Sequence, residues 1–358
     1  MKRTYVIAAL GLVAILVASM AAVAATTQNR PPFVVKRSWG TFRLADRVAE
    51  KVRAGEKINY VFSYQASGIP LFSQQYQQGY DEGLAAGTKI YPLSGQAIAP
   101  VQTNPNQQVA QIEAQLAAGK IDCLGIEPAT SDAFTAITNK IMDQGIPVFT
   151  AGVTSRGHEF TNFTQVPAKE GATAAKVVLD WMKANKKRLR VFAVSGGDPA
   201  QFWAQGRMKS FVDTIRKAIP NARFVNTQGN ALNTSYDPAK TYDNAKAFLS
   251  ANPDVQFMEN VDIGAEHIDK AIVDLGKKGK VFTIGWNVSK ANLDYIEQGV
   301  QVATLDQRWA EQAAFGAKAC ATFLKTGRLL ANTQVLEPIL KRDVRAARAD
   351  LDRILRRK

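Results

Sequence analysis

The segment LRVFAVSGGDPAQFWAQGRMKSFVDTIRK, residues 189–217, decides the fold. Leu189–Val194 is a short apolar run that breaks at Ser195-Gly196-Gly197, and Phe202–Lys217 follows with helical character. A strand, a tight turn and a helix in that order are the repeating piece of a parallel α/β sheet. The same alternation runs outward on both sides. Downstream come a strand at Ala222–Asn226, a helix at Pro238–Ser250, a short buried strand at Val255–Met258, and then Ala265–Leu275, Val281–Gly285, Ala291–Gln298 and Val302–Leu305. Upstream, Gly171–Lys183 is helical.

Before it lies a second series of similar size. Ile58–Tyr64 reads as a strand and Ser73–Ala86 as the helix after it. Gln107–Ala118 places Val109, Ile112 and Leu116 on one helical face. Cys123–Ile126 is a strand ending in Glu127-Pro128, Asp132–Gln144 a helix and Ile146–Thr150 another strand. Two such series imply two similar lobes, each a doubly wound parallel sheet. Ligands of open α/β sheets bind outside the carboxyl ends of the strands, so the loops at those ends are where function is sought.

The two ends of the chain read differently. Lys2 and Arg3 precede an apolar run from Tyr5 to Met20 and the small-residue site Ala22-Val23-Ala24, the pattern of a cleaved secretory signal peptide over residues 1–24. The run is also about long enough for an uncleaved anchor. Residues 25–56 form an N-terminal extension outside the repeating pattern, with helical character over Arg43–Arg53. The formal charge of +14 raises nucleic acid or a membrane surface as a partner. Its densest run, Lys341–Lys358, carries eight Lys/Arg against three Asp, with Val344, Ala347, Leu351 and Leu355 at helical spacing. That is an amphipathic helix on the body with a solvated basic face, or a contact for anionic lipid; it does not make a nucleic-acid binder. Cys123 and Cys320 lie in apolar contexts far from the leader, where one disulfide and two free buried thiols are both open.

Several local motifs, in order and spacing, resemble the type I periplasmic binding proteins, in particular the ribose- and galactose-binding branch that feeds ABC importers. They are Gly68-Ile69-Pro70-Leu71-Phe72, Gln107-Gln108 with Gln111-Ile112, Gly145-Ile146-Pro147-Val148, Gly285-Trp286-Asn287 and Ala303-Thr304-Leu305-Asp306-Gln307, over roughly Lys57 to Leu340. The resemblance implies two lobes joined by a three-crossing hinge: residues 57–153 with 308–332 in the first, 154–307 with 333–342 in the second, and a basic C-terminal helix over 343–358. It places Arg308–Leu324 on the first lobe beside the Cys123 strand, where an approach of Cys123 and Cys320 becomes conceivable. It also implies a periplasmic, monomeric, non-enzymatic receptor with no cofactor and no metal. Its expected partners are a small neutral polar ligand, a sugar or polyol, and an ABC permease. A sensor feeding a chemoreceptor or kinase is the alternative, and an exported α/β enzyme a further one.

A sugar asks for flat apolar faces against its C–H surface and planar polar groups for its hydroxyls. Phe72, Phe202, Trp203, Tyr236 and Trp286 supply the first at strand exits; Asn260, Asn287 and Gln307 supply the second, with Glu259 as the alternative to Asn260. By resemblance Trp203 stands near an arginine that clamps hydroxyls in relatives, Tyr236 near a stacking aromatic, and Asn287 in place of an aspartate. Gly152 stands where relatives have aspartate, which leaves the cleft poor in charge and suits a furanose, a polyol or a less polar cyclic compound.

Enzyme signatures do not assemble. His158 and His267 have no metal spacing, there is no Gly-x-Ser-x-Gly elbow, and Gly152–Gly157 is followed by His158-Glu159 where a P-loop has Lys-Ser/Thr. Ser195-Gly196-Gly197-Asp198 is a strand-to-helix turn rather than a dinucleotide fingerprint.

Overall fold

A computed structural model describes Pro31 and residues 33–355. The expected leader, residues 1–24, lies outside the described residues. A hairpin of β1 (Val34–Arg37) and β2 (Gly40–Arg43) leads to α1 (Asp46–Ala54). Then follow β3 (Ile58–Ser63), α2 (Pro70–Thr88), β4 (Leu93–Ile98), α3 (Pro105–Ala117), β5 (Cys123–Ile126), α4 (Ser131–Asp143), β6 (Val148–Gly152) and β7 (Asn162–Thr164). The second series is α5 (Pro167–Ala184), β8 (Val191–Gly196), α6 (Phe202–Ala218), β9 (Arg223–Phe224), β10 (Leu232–Asn233), α7 (Pro238–Ala251), β11 (Phe257–Asn260), α8 (Ala265–Asp274), β12 (Phe282–Trp286), α9 (Lys290–Gln298) and β13 (Gln301–Asp306). The chain ends with α10 (Trp309–Thr326), β14 (Glu337–Leu340) and α11 (Val344–Leu355).

The first sheet is parallel in the order β4-β3-β5-β6-β7; the second runs β10-β8-β11-β12-β13-β14, with β9 also on β8 and only β14 antiparallel. Each lobe therefore begins on an inner strand and winds outward both ways. Its first strand is flanked by the second on one side and the third on the other, and the crevice at that reversal is the ligand position of such sheets. In the first lobe it lies beyond Ser63 and Ile126, in the second beyond Gly196 and Asn260.

Helix starts follow the side chains that close them. Asn104 accepts from the Gln107 N–H at 3.0 Å ahead of Pro105, and Asp237 accepts from the Lys240 N–H at 2.9 Å ahead of Pro238. Ser289 does the same for α9 through Asn292, and that helix stops at Gly299 with φ 74°.

Three passages join the lobes. The first follows β7, which pairs with β6. This moves the end of the first segment from the expected Val153 to Thr164, because Asn162–Thr164 add a strand to the first sheet. The second passage, at Gln307–Arg308, leads into α10, which packs on α2, β5 and β6. The third runs past Thr333, whose N–H donates to the Asn162 carbonyl, into β14 on the second sheet. Cys320 on α10 and Cys123 on β5 form a disulfide with Cα atoms 6.3 Å apart, which closes the question the sequence left open.

Close approach of α2 and α10 depends on glycine. A Cβ on Gly79 would come within 2.0 Å of the Ala310 carbonyl oxygen, and one on Gly83 within 2.5 Å of the Ala314 Cα. Small residues four apart on both helices let the backbones touch.

Two segments lay outside the sequence pattern. The extension over 25–56 packs, where described, into the first lobe: Phe33, Val35, Phe42, Leu44 and Val48 are buried in its core, and Arg47 and Lys51 pair with buried Asp122. That lobe therefore starts at least at Phe33, its β1–β2 hairpin too short to carry a periodic signal. The strand Leu93–Ile98 escaped the periodicity because it is an edge carrying Ser94, Gly95 and Gln96.

Candidate functional site

The ends of β3 and β5 place Gln65 and Glu127 on the first lobe's side of the crevice. Glu127 is buried, and its carboxylate accepts from the Gln65 N–H at 3.1 Å and from Gln65 Nε2 at 3.2 Å. Burial pushes its pKa up to about 8, against hydrogen bonds from the Gln65 backbone and Tyr76 that pull it down. Gly152 ends β6 at φ +65°, with Gln312 Oε1 and Glu127 Oε1 3.2 and 3.3 Å from the place of a Cβ. A side chain there would be strained by the left-handed backbone and would press on both neighbours; the carboxyl group at this point comes from Glu127 at the end of the neighbouring strand.

On the second lobe the site is organised by a residue the sequence reading passed over. Arg207 lies on α6 among Ala204, Met208, Phe211 and Ile215, and it is buried. Its Nε donates to Glu170 Oε2 at 2.9 Å, its Nη1 to the Val261 carbonyl at 3.0 Å, and its Nη2 to Gln165 Oε1 at 2.9 Å and Gln307 Oε1 at 2.7 Å. The guanidinium carbon is 3.8 Å from the centre of the Trp286 ring and 4.9 Å from that of Trp203, which is cation–π distance. An arginine at the spacing of an otherwise apolar helix face was the available signal, four residues after Trp203.

Trp203, Trp286, Asn287 and Gln307 thus meet around one guanidinium. Gln307 Nε2 donates to Asn287 Oδ1 at 2.7 Å, and the Gln307 carbonyl accepts from Gln312 Nε2 at 2.7 Å. Trp286, Asn287 and Gln307 are almost wholly buried, whereas Trp203 is partly exposed. Asn260 is placed apart from them: Ser195 Oγ donates to its Oδ1, and its Nδ2 donates to the Asp262 and Ile263 carbonyls, so its amide holds the loop after β11. The adjacent Glu259 has neither carboxyl oxygen bonded, and burial drives its pKa well above the carboxylate range despite Arg207.

The remaining aromatics stand at the rim. Tyr236 is half exposed, its ring over Gly197 and its hydroxyl toward Asp262. Burial raises the Asp262 carboxyl to about 6, opposed by the Ile263 N–H, Tyr236 and Arg207. Phe202 is exposed and lies under the guanidinium of Arg156, 5.8 Å away, from the first-lobe loop between β6 and β7. Phe72 is the only named aromatic on the first lobe, 4.2 Å from Trp309 and stacked with Tyr76. Ile263 packs against the first lobe's core, so the two faces are closed on each other.

Ionisable side chains do stand at and behind these strand exits: Glu127, Glu170, Arg207, Glu259 and Asp262, all buried. Burial favours the neutral form of Glu259, and Glu170 pairs with Arg207. Among the described residues, the buried side-chain atoms without a hydrogen-bond partner include Trp286 Nε1, Asn287 Nδ2, Gln312 Oε1, Glu170 Oε1, Asp262 Oδ2 and both Glu259 oxygens.

Residues 60–328 match the family model described as a periplasmic binding protein domain. The D-ribose/D-allose-binding protein of Pseudomonas aeruginosa is 26% identical over 228 residues, 60% of this chain and 66% of that protein, so the match spans just under two thirds of the curated relative. Among solved structures, the fold is similar to a glucose-galactose binding protein from Geobacillus stearothermophilus (TM-score 0.67, 20% identity, 80% of this chain and 99% of that one). It is also similar to the Caulobacter myo-inositol binding protein (TM-score 0.66, 18% identity, 81% and 95%).

Proposed function

The chain belongs to the periplasmic binding protein domain family, and from that premise we propose that it is the solute receptor of an ABC importer, taking a sugar or sugar-like polyol between its lobes. The observation that carries this reading is the set of buried, unpaired donors and acceptors at the exits of β11 and β12 and on α10. A buried polar group without a partner costs about 1–3 kcal/mol, and a ring bearing several hydroxyls satisfies donors and acceptors together. Arg207 is matched by Glu170, and burial favours the neutral forms of Glu127 and Glu259, which suits a neutral guest. Contacts from both lobes favour the closed form over the open one, and the closed form is what a permease in the inner membrane would dock. Export to the periplasm fits the leader pattern at Lys2–Ala24 and a disulfide between Cys123 and Cys320.

Mass spectrometry of co-purifying small molecules, followed by thermal shift with D-ribose, D-allose, D-glucose, D-galactose and myo-inositol, tests the reading. Saturation at a hundred times Kd adds about 2.7 kcal/mol of stability. No shift with any of these, and no co-purifying neutral polyol, would reject it.

A further inference from the structure

Arg207 holds more than the indoles. A desolvated ion pair with Glu170 gives no net stability that two apolar side chains could not match, so the placement of a charge at this depth calls for another reason. Its other three bonds go to the exit of β11 at Val261 and to Gln165 and Gln307, one glutamine in each of the first two passages between lobes. Both glutamines are at the same time bonded to the first lobe by their backbones. The Gln165 N–H donates to the Gly152 carbonyl at 2.8 Å, and the Gln307 carbonyl accepts from Gln312 Nε2 at 2.7 Å. One guanidinium nitrogen, Nη2, therefore joins two hinge passages anchored on the opposite lobe.

The same plane covers a face of Trp286 at 3.8 Å, while the indole Nε1 has no partner among the described residues. We propose that Arg207 is the positioning residue of this receptor: it fixes Trp286 so that the indole offers its N–H edge and not that covered face to the ligand, and it couples occupancy of the site to the two hinge passages. The ligand is then read edge-on, by Trp286 Nε1 and Asn287 Nδ2 as donors and Glu259 as acceptor, which selects ring hydroxyls over an apolar ring surface at that point. This rests on the receptor reading above.

Two variants test it. Arg207→Lys keeps a charge for Glu170 but cannot span four partners or stack as a plane. Arg207→Met with Glu170→Met removes the pair without stranding a carboxylate. In ligand-free protein, amide hydrogen exchange at residues 165–166 and 307–308 is expected to rise at least tenfold in either variant, with exchange in the β5 and β11 cores unchanged. For whichever of D-ribose, D-allose and myo-inositol the wild-type protein binds, Kd is expected to rise at least thirtyfold and the ligand-induced fall in X-ray scattering radius to shrink. Unchanged exchange at both passages overturns the coupling whatever the sugar result. Sugar binding within twofold of wild type, with full contraction, overturns the positioning role. A wild-type protein that binds none of the sugars fails the receptor reading instead, and the exchange measurement still decides the hinge coupling. Should the double variant not fold, Arg207→Lys carries both measurements.

Discussion

Cys320 on α10 is bonded to Cys123 on β5 across a sequence separation of 197 residues, so the helix that the chain adds last to the first lobe is tied to a strand laid down near its beginning. A bridge over so long a loop restricts the unfolded chain, and removal of a native disulfide typically costs about 2–5 kcal/mol. Replacing both cysteines by alanine is expected to lower the urea-unfolding free energy by that amount. Both cysteines are fully buried, so reductant should act on the folded protein only slowly. Equal stability of the double variant and the oxidised wild type would show that the bridge contributes nothing.

Trp286→Phe separates the indole N–H from the ring. The ring still packs on Arg207, and an unpaired buried donor is lost, so stability should hold or rise slightly. Ligand affinity should fall by about 1–3 kcal/mol, roughly five- to 150-fold, in isothermal titration with the sugar found by thermal shift. Gln307→Ala removes the link to both Arg207 and Asn287 and should abolish the ligand-induced shift while the unliganded protein stays folded. If both variants bind as well as wild type, the site lies elsewhere.

Much of this was legible beforehand, and the residues show why. Alternation of apolar runs and helical faces placed β3, β5, β8 and β12 because inner strands are buried on both sides, and Trp286 and Gln307 follow at strand exits. Arg207 was not legible. Its role depends on partners at positions 165, 170, 261 and 307, which only the tertiary fold assembles, and a single sequence treats an arginine on a helix as solvated. The carboxyl group beside Gly152 belongs to Glu127 at the end of the neighbouring strand, a juxtaposition across the sheet that no reading along one strand can find.

Glu127 makes stability fall with rising pH. In the unfolded chain its carboxyl titrates near 4.5, and in the folded protein burial raises it to about 8. Between those values the unfolded chain releases the proton while the folded protein keeps it, so the contribution is complete below 4.5 and lost by about pH 8. Asp262 and Asp306, each raised to about 6 by burial, act in the same direction from 3.8 upward. Glu127→Gln keeps an acceptor for Gln65 and removes the titration. Relative to wild type, the variant should gain a few kcal/mol in chemical unfolding between pH 5 and pH 8; parallel pH profiles would show that the group is not held protonated.

Gly83→Ala tests the contact between α2 and α10. Helix propensity alone would favour alanine by about 1 kcal/mol, but the new Cβ would lie 2.5 Å from the Ala314 Cα. Backbone on both sides must separate, and overpacking of this kind costs about 1–3 kcal/mol. A net loss of stability with unchanged sugar affinity is the expected outcome. A gain would mean that the helices part freely.

The basic C-terminal helix tests which force docks it. Val344 and Leu351 of α11 are buried with Val288, Leu293 and Ile296 of the second lobe. Its arginines are not simply solvated: Arg348 pairs with Asp294 and Glu297, and Arg353 reaches Glu82 on α2 of the first lobe. These pairs are partly exposed, and such pairs contribute about 0–1 kcal/mol each, whereas truncating a buried leucine costs about 2–5 kcal/mol. Leu351→Ala should therefore destabilise the protein by more than Arg348→Ala and Arg353→Ala together, and salt should change the leucine effect little. If the arginine variants dominate, and their effect fades as salt rises, the helix is held across the lobes by charge.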